Sequence, residues 1–112
     1  MNTNKISATL KDLGISANLL GYHYLRYGIE LVMNDMSYMN NIVKKLYTEI
    51  ANEFGTKPSR VERAIRFAIE QGWHRGSPHA MDAIFGHSVK EGVNPTNAEF
   101  ICTVADYIKE RC

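Results

Sequence analysis

Arg60, Arg63 and Arg66 recur at every third residue of the segment KPSRVERAIRFAIE. A guanidinium is planar, permanently charged and forked. It can grip a phosphate or the O6 and N7 edge of guanine with two parallel hydrogen bonds. Lys57 and Ser59 stand just ahead of this row, Glu62 sits inside it and Phe67 follows Arg66. Lys57 lies at a turn beside a helix start, where anions are favoured. Glu62 has two readings: it can turn back as a capping partner of Ser59, or accept a hydrogen bond from the cytosine N4 amino group. The chemistry on offer is recognition. Ser77 and Ser88 lack the surroundings of an activated nucleophile, and no acid–base set converges, so an enzyme is not expected.

A helix has to present this row. At 100° per residue Val61, Ala64, Ile65, Ala68 and Gly72 fall within one arc, with Ile69 at its edge, while Arg60, Arg63, Arg66, Phe67 and Glu70 face the other way. The helix is expected over residues 59–73. Ser59 with Glu62 makes one start signal; Thr56 as cap with Pro58 in the first turn is the alternative. Before it, Leu46, Ile50, Ala51 and Phe54 mark one face of a preceding helix, and Gly55 supplies the turn. The stretch Leu46 to Gly76 therefore reads as a helix-turn-helix, whose second helix enters the DNA major groove.

The rest of the chain also reads as helical, because β-branched residues are sparse and nothing alternates for long. A first helix is expected from Thr3 to Leu13, ended by Gly14. A second, capped by Ser16 or Asn18, reaches Met33 and stops around Asn34 and Asp35, with Leu20, Tyr24, Gly28 and Leu31 as its face. Gly21 and Gly28 predict close approach of a neighbouring helix or of DNA. Helical pattern resumes from Tyr38 to Phe54 with a break near Lys45. A short helix follows from His79 to Phe85, ended by Gly86. The last helix starts at Thr96 or Asn97 and buries Phe100, Ile101, Val104, Tyr107 and Ile108. Met33, Met36, Met39 and Met81 read as core filler.

Composition bounds the rest. The chain has 112 residues, 45% of them apolar, enough for one domain with a core. The formal net charge is +1. Between Lys57 and Arg75, five cations (Lys57, Arg60, Arg63, Arg66, Arg75) face two carboxylates (Glu62, Glu70), a local +3 that leaves −2 elsewhere. A basic stripe on a near-neutral domain is the electrostatic footprint of a polyanion ligand. Cys102 reads as a small core residue, and Cys112 ends the sequence; reduced thiols are expected. His23, His74, His79 and His87 lack the partners of a metal site, so neither metal nor cofactor is expected. No apolar run could span a bilayer and the N-terminus lacks a signal peptide, which predicts a cytoplasmic protein.

The segment SRVERAIRFAIE, followed by Trp73 and Arg75-Gly76, resembles the effector domain of the sporulation response regulator, stage 0 sporulation protein A. GYHYLR at 21–26, IFG at 84–86 and PTNAEF at 95–100 extend the resemblance over nearly the whole chain in the same order. It implies an all-helical domain of about six helices built around the helix-turn-helix. It also implies a transcription factor, activator and repressor, that controls entry into sporulation. In this family a receiver domain precedes the effector, is phosphorylated on aspartate and promotes homodimers on tandem TGTCGAA-like boxes. The present chain has no room for a receiver and is expected to be the DNA-binding half. The resemblance suggests Glu62 and Arg63 as base readers, with Arg60 and Arg66 in mixed base and phosphate roles. It suggests Gly76, Phe85 and Val89 as contacts for the RNA polymerase sigma factor. Phe67 departs from an expected histidine and can meet a thymine methyl instead. Asn94 replaces an expected lysine, and Gln71 and Gly72 replace small apolar residues. A helical protein–protein adaptor, binding an acidic partner through the basic face, is the alternative function.

Overall fold

The computed structural model describes residues 2–86 and 93–110. Six α-helices carry the fold: α1 (Asn2–Asp12), α2 (Leu20–Asn34), α3 (Thr48–Phe54), α4 (Pro58–Trp73), α5 (Pro78–Phe85) and α6 (Asn97–Glu110). No strand occurs among the described residues, so the expected all-helical class holds.

The centre is α2. It packs on α4 along one side and on α6 along another, while α1 closes over its start. Leu25, Ile29 and Val32 of α2, Ile6 and Leu10 of α1, Val61 and Ile65 of α4, and Phe100, Ile101 and Val104 of α6 are all sealed from solvent. These recur at helical spacing, as an apolar stripe facing a common core requires. Trp73, Phe85 and Phe100 form a second layer beneath α5, with ring centroids 5.0 Å apart for Trp73–Phe85 and 5.8 Å for Phe85–Phe100.

Several expectations shift. The buried face of α2 is turned by one residue from the expected one: Gly21, Leu25, Ile29 and Val32 point inward with Tyr24 and Gly28, and Leu20 is 67% exposed. Ser16 and Asn18 do not cap α2. Leu19 occupies the cap position without a side-chain bond, and the Ser16 hydroxyl instead accepts from the Asn18 amide. Asp35 ends the helix as expected, its carboxylate accepting from the Ser37 amide at 3.0 Å. Between α2 and α3 the chain runs through a 3₁₀ stretch (Met36–Asn41) and a π-helical one (Ile42–Tyr47). The break falls at Asn41, whose side chain accepts from the Lys44 amide, rather than near Lys45. The wider π winding brings Leu46 and Tyr47 into the core. Met36 is 41% exposed and so is no filler, and Cys102 is half-buried rather than enclosed. Cys112 and His87 lie outside the described residues.

Candidate nucleic-acid interface

The turn before α4 is built by three residues. Gly55 ends α3 in the left-handed region (φ +66°), where its missing Cβ removes the steric cost. The Thr56 amide then reaches back to the Ala51 carbonyl at 2.9 Å, closing the end of α3. Lys57 takes the cap position in extended conformation, and Pro58 opens α4 at a place where no amide donor is needed. Neither expected cap forms: no side chain caps α4, and Glu62 is engaged elsewhere. The carboxylate of Glu62 pairs with the Arg66 guanidinium at 3.3 Å, one helical turn on.

Val61, Ile65, Ala68, Ile69 and Gly72 bury the inner face of α4. The helical sweep distributes the remaining residues around the exposed side. Arg63 stands on the crest. Arg60 and Phe67 lean towards α2, while Glu62 and Arg66 lean towards α6. Lys57, Ser59, Arg60, Arg63, Arg66 and Phe67 are exposed and Glu62 half-buried. The expected contact residues therefore share one helix but border two different hollows.

On the α2 side lies an apolar groove of about 430 Å³, walled by Leu20 and Phe67 with Arg60 and Arg63 among its lining. Gly21 makes this groove possible. A Cβ there would strike the Ala64 carbonyl and lie 2.7 Å from the Ala68 methyl, so α2 and α4 cross backbone to backbone. Gly28 has another neighbour, the side chain of Ile50. Both glycines thus serve helix packing.

On the α6 side lies a more polar cleft of about 450 Å³, lined by Tyr47, Glu62, Arg66, Glu70 and Asn97 among others. Asn97 is its organising residue. Only 9% exposed, it donates from Nδ2 to the Tyr47 hydroxyl and to the Glu62 main-chain carbonyl, both at 3.1 Å. One side chain therefore ties α6 and the π-helical stretch to the first turns of α4. Burial pushes the Tyr47 phenol above its ordinary value, and the hydrogen bond from Asn97 opposes this in part. Asn94 borders the same cleft, its Oδ1 buried without a hydrogen-bond partner.

The family model described as "Sporulation initiation factor Spo0A C terminal" matches residues 6–108, from the first core residue of α1 to the last of α6. The chain belongs to this Spo0A C-terminal family. Membership carries the class with it: a DNA-binding domain of a sporulation response regulator, acting in transcription regulation. The Spo0A C-terminal match spans α4 and both hollows beside it, so the exposed arginine row lies within the family's own fold.

Of the residues expected to meet a sigma factor, Phe85 is 6% exposed and packed between Trp73 and Phe100. Its ring supports the segment after α4 and is not available as a surface contact. Gly76 abuts the main chain of Leu13, 2.6 Å from where its Cβ would stand, so its lack of a side chain serves backbone packing. Val89 lies outside the described residues. Sequence reading missed two residues at this interface. Asn97 reads only as a helix cap, although a buried asparagine needs partners; Leu20 reads as core, because an exposed and a buried leucine are identical in sequence. No helix among the described residues is long and apolar enough to cross a membrane, and no group of three or more His, Cys, Asp or Glu side chains among them could hold a metal ion.

Proposed function

We propose that this domain reads TGTCGAA-like boxes by laying α4 in the major groove, and that it activates some sporulation promoters and represses others. One observation carries the reading: Arg60, Arg63 and Arg66 stand along the solvent side of a helix whose opposite side is fully buried. A helix held this rigidly can place guanidinium forks against base edges without first ordering itself. Arg63 and Glu62 are the base readers in this reading. Arg60 and Arg66 divide between bases and phosphates. Lys57 and Ser59, at the start of α4, meet the backbone, where helix amides and a cation favour phosphate. Phe67 offers its ring to a thymine methyl. The domain acts as the effector half of a response regulator, in the cytoplasm. It pairs as a homodimer on tandem boxes, with the segment after α4 turned towards the polymerase sigma factor.

Fluorescence polarisation tests the reading. The chain is titrated onto a duplex carrying one TGTCGAA box and onto a scrambled duplex, across a salt series. The expected result is strong preference for the box, with log affinity falling against log salt by about 0.9 per phosphate neutralised. Equal binding to both duplexes would leave a DNA-affine domain without this sequence preference. Absence of binding to either would favour an acidic protein partner for the basic face.

A further inference from the structure

We propose that the groove between the start of α2 and α4 receives the C5-methyl groups of thymine in the DNA major groove, with Leu20 and Phe67 as its two apolar walls. The inference rests on the DNA-reading function above and assigns that surface a second, hydrophobic mode of discrimination. Leu20 is 67% exposed and Phe67 50% exposed, the two largest exposures among the large apolar side chains of the described residues bar Val43 and Val93. They come from different helices yet border one groove. The crossing at Gly21 underlies this: with no side chain at Gly21, the first turn of α2 lies against the backbone at Ala64, and Leu20 of α2 and Phe67 of α4 line the same groove.

Charge selects the occupant. Arg60 and Arg63 also line the groove. An apolar protein segment seated there would strip water from two guanidiniums without pairing them, which is costly. The major groove of DNA supplies both needs at once: phosphates and guanine edges for the arginines, and the thymine methyl for the apolar walls. The distances agree. Phe67 lies four residues beyond Arg63, about 6 Å along the helix axis, and successive base pairs rise about 3.4 Å. For α4 running along the groove floor, a guanine held by Arg63 then puts Phe67 one to two base steps away. In TGTCGAA every guanine, on either strand, has a thymine within that reach.

Replacing thymine by uracil removes the methyl and leaves every hydrogen-bonding edge in place. The test measures binding of the full chain to the box duplex, to box duplexes with each thymine changed singly to uracil, and to a scrambled duplex. Burying one methyl is worth about a fourfold change in affinity. The expected result is a loss of about three- to tenfold at one or two specific thymines. The thymine-to-uracil ratio should fall towards one in both Phe67→Ala and Leu20→Ala; these side chains are exposed, so unchanged thermal melts should accompany the change. A wild-type protein that prefers the box yet binds uracil and thymine duplexes alike overturns the inference and leaves the DNA-reading function standing. A uracil effect that persists unchanged in both variants also overturns it. Loss of preference for the box over the scrambled duplex overturns the reading and the inference together. The wild-type comparison needs no variant, so it decides even if one fails to fold.

Discussion

Glu62 and Arg66 meet one turn apart on α4 at 3.3 Å, with side chains 36% and 55% exposed. An exposed pair of this kind contributes a few tenths of a kcal/mol at most, so DNA can part it at little cost. Arg63 differs, having no ion-pair partner among the described residues. Arg63→Ala should therefore leave stability unchanged and weaken binding to the box by about 1–3 kcal/mol, relaxing preference at one base position. Binding to a panel of singly substituted boxes checks this; equal losses on matched and scrambled DNA would refute the reader role. Asn97 acts on the protein instead. Removing its amide in Asn97→Ala strips a partner from the buried Tyr47 hydroxyl and should cost about 1–2 kcal/mol in denaturant unfolding. The same site gives a pH signature. Burial raises the Tyr47 phenol above its ordinary value of 10.0, so the folded state favours the neutral form. That stability is fully present below the unfolded value and is lost as pH rises through the folded one. Tyr27 adds in the same sense, raised first by burial and then by Glu53. Thermal melts from about pH 8 to about pH 11 should fall less steeply in Tyr47→Phe than in the parent.

Among the elements, α4 was the most legible in the sequence. Its inner residues recur at 3.6 spacing, its outer residues are charged, and Gly55 and Pro58 punctuate its start, so periodicity and turn chemistry agree. The capping box forms on α6 and not on α4. The pattern at Ser59 and Glu62 does not close. The same pattern at Thr96 and Glu99 does, the Glu99 amide donating to the Thr96 hydroxyl at 3.1 Å and the Thr96 amide to the Glu99 carboxylate at 2.8 Å. Lys57 already occupies the cap of α4, which places Ser59 within the helix, whereas Thr96 stands just before α6. Thr96→Ala should then cost about 1 kcal/mol, read from the unfolding midpoint. The buried face of α2 follows from its polar residues: His23, Arg26, Glu30 and Asn34 fall within one arc, opposite Leu25, Gly28 and Val32, whereas Leu20 and Leu31 are apolar residues that flank that polar stripe. The crossing at Gly21 sets how closely that face meets α4, a fact of tertiary packing. Alanine there would gain about 1 kcal/mol of helix propensity. It would also drive a methyl into the Ala64 carbonyl, which is backbone and cannot swing aside. Overpacking of this kind costs about 1–3 kcal/mol, so Gly21→Ala should be net destabilising in thermal or chemical unfolding. A neutral or stabilising outcome would mean that α2 moves freely against α4. The glycines at the far end follow the same logic. Gly14 (φ +85°) and Gly72 face each other so closely that a Cβ on either meets the other's main chain, locking the α1–α2 connection against the end of α4.

For the whole molecule, charge placement matters more than charge total. A net charge of +1 predicts almost no long-range attraction to DNA, whereas the local +3 between Lys57 and Arg75 predicts a good deal. The two descriptions can be separated with substitutions that change the total identically. Lys57 stands at the start of α4, on the face carrying the arginine row. Lys109 lies in the last turn of α6, twelve residues beyond Asn97, which touches α4. Twelve residues of helix span about 18 Å, roughly twice the screening length at physiological salt. Lys57→Ala and Lys109→Ala each remove one exposed cation, so a mechanism driven by net charge requires equal effects. Counterion release instead counts only the cations that neutralise a phosphate. Lys57→Ala should therefore flatten the slope of log affinity against log salt by about 1 and weaken box and scrambled duplexes alike. Lys109→Ala should leave the slope where it was. Equal flattening by both would place the electrostatics in the molecule as a whole, and α4 would lose its standing as the DNA-facing element.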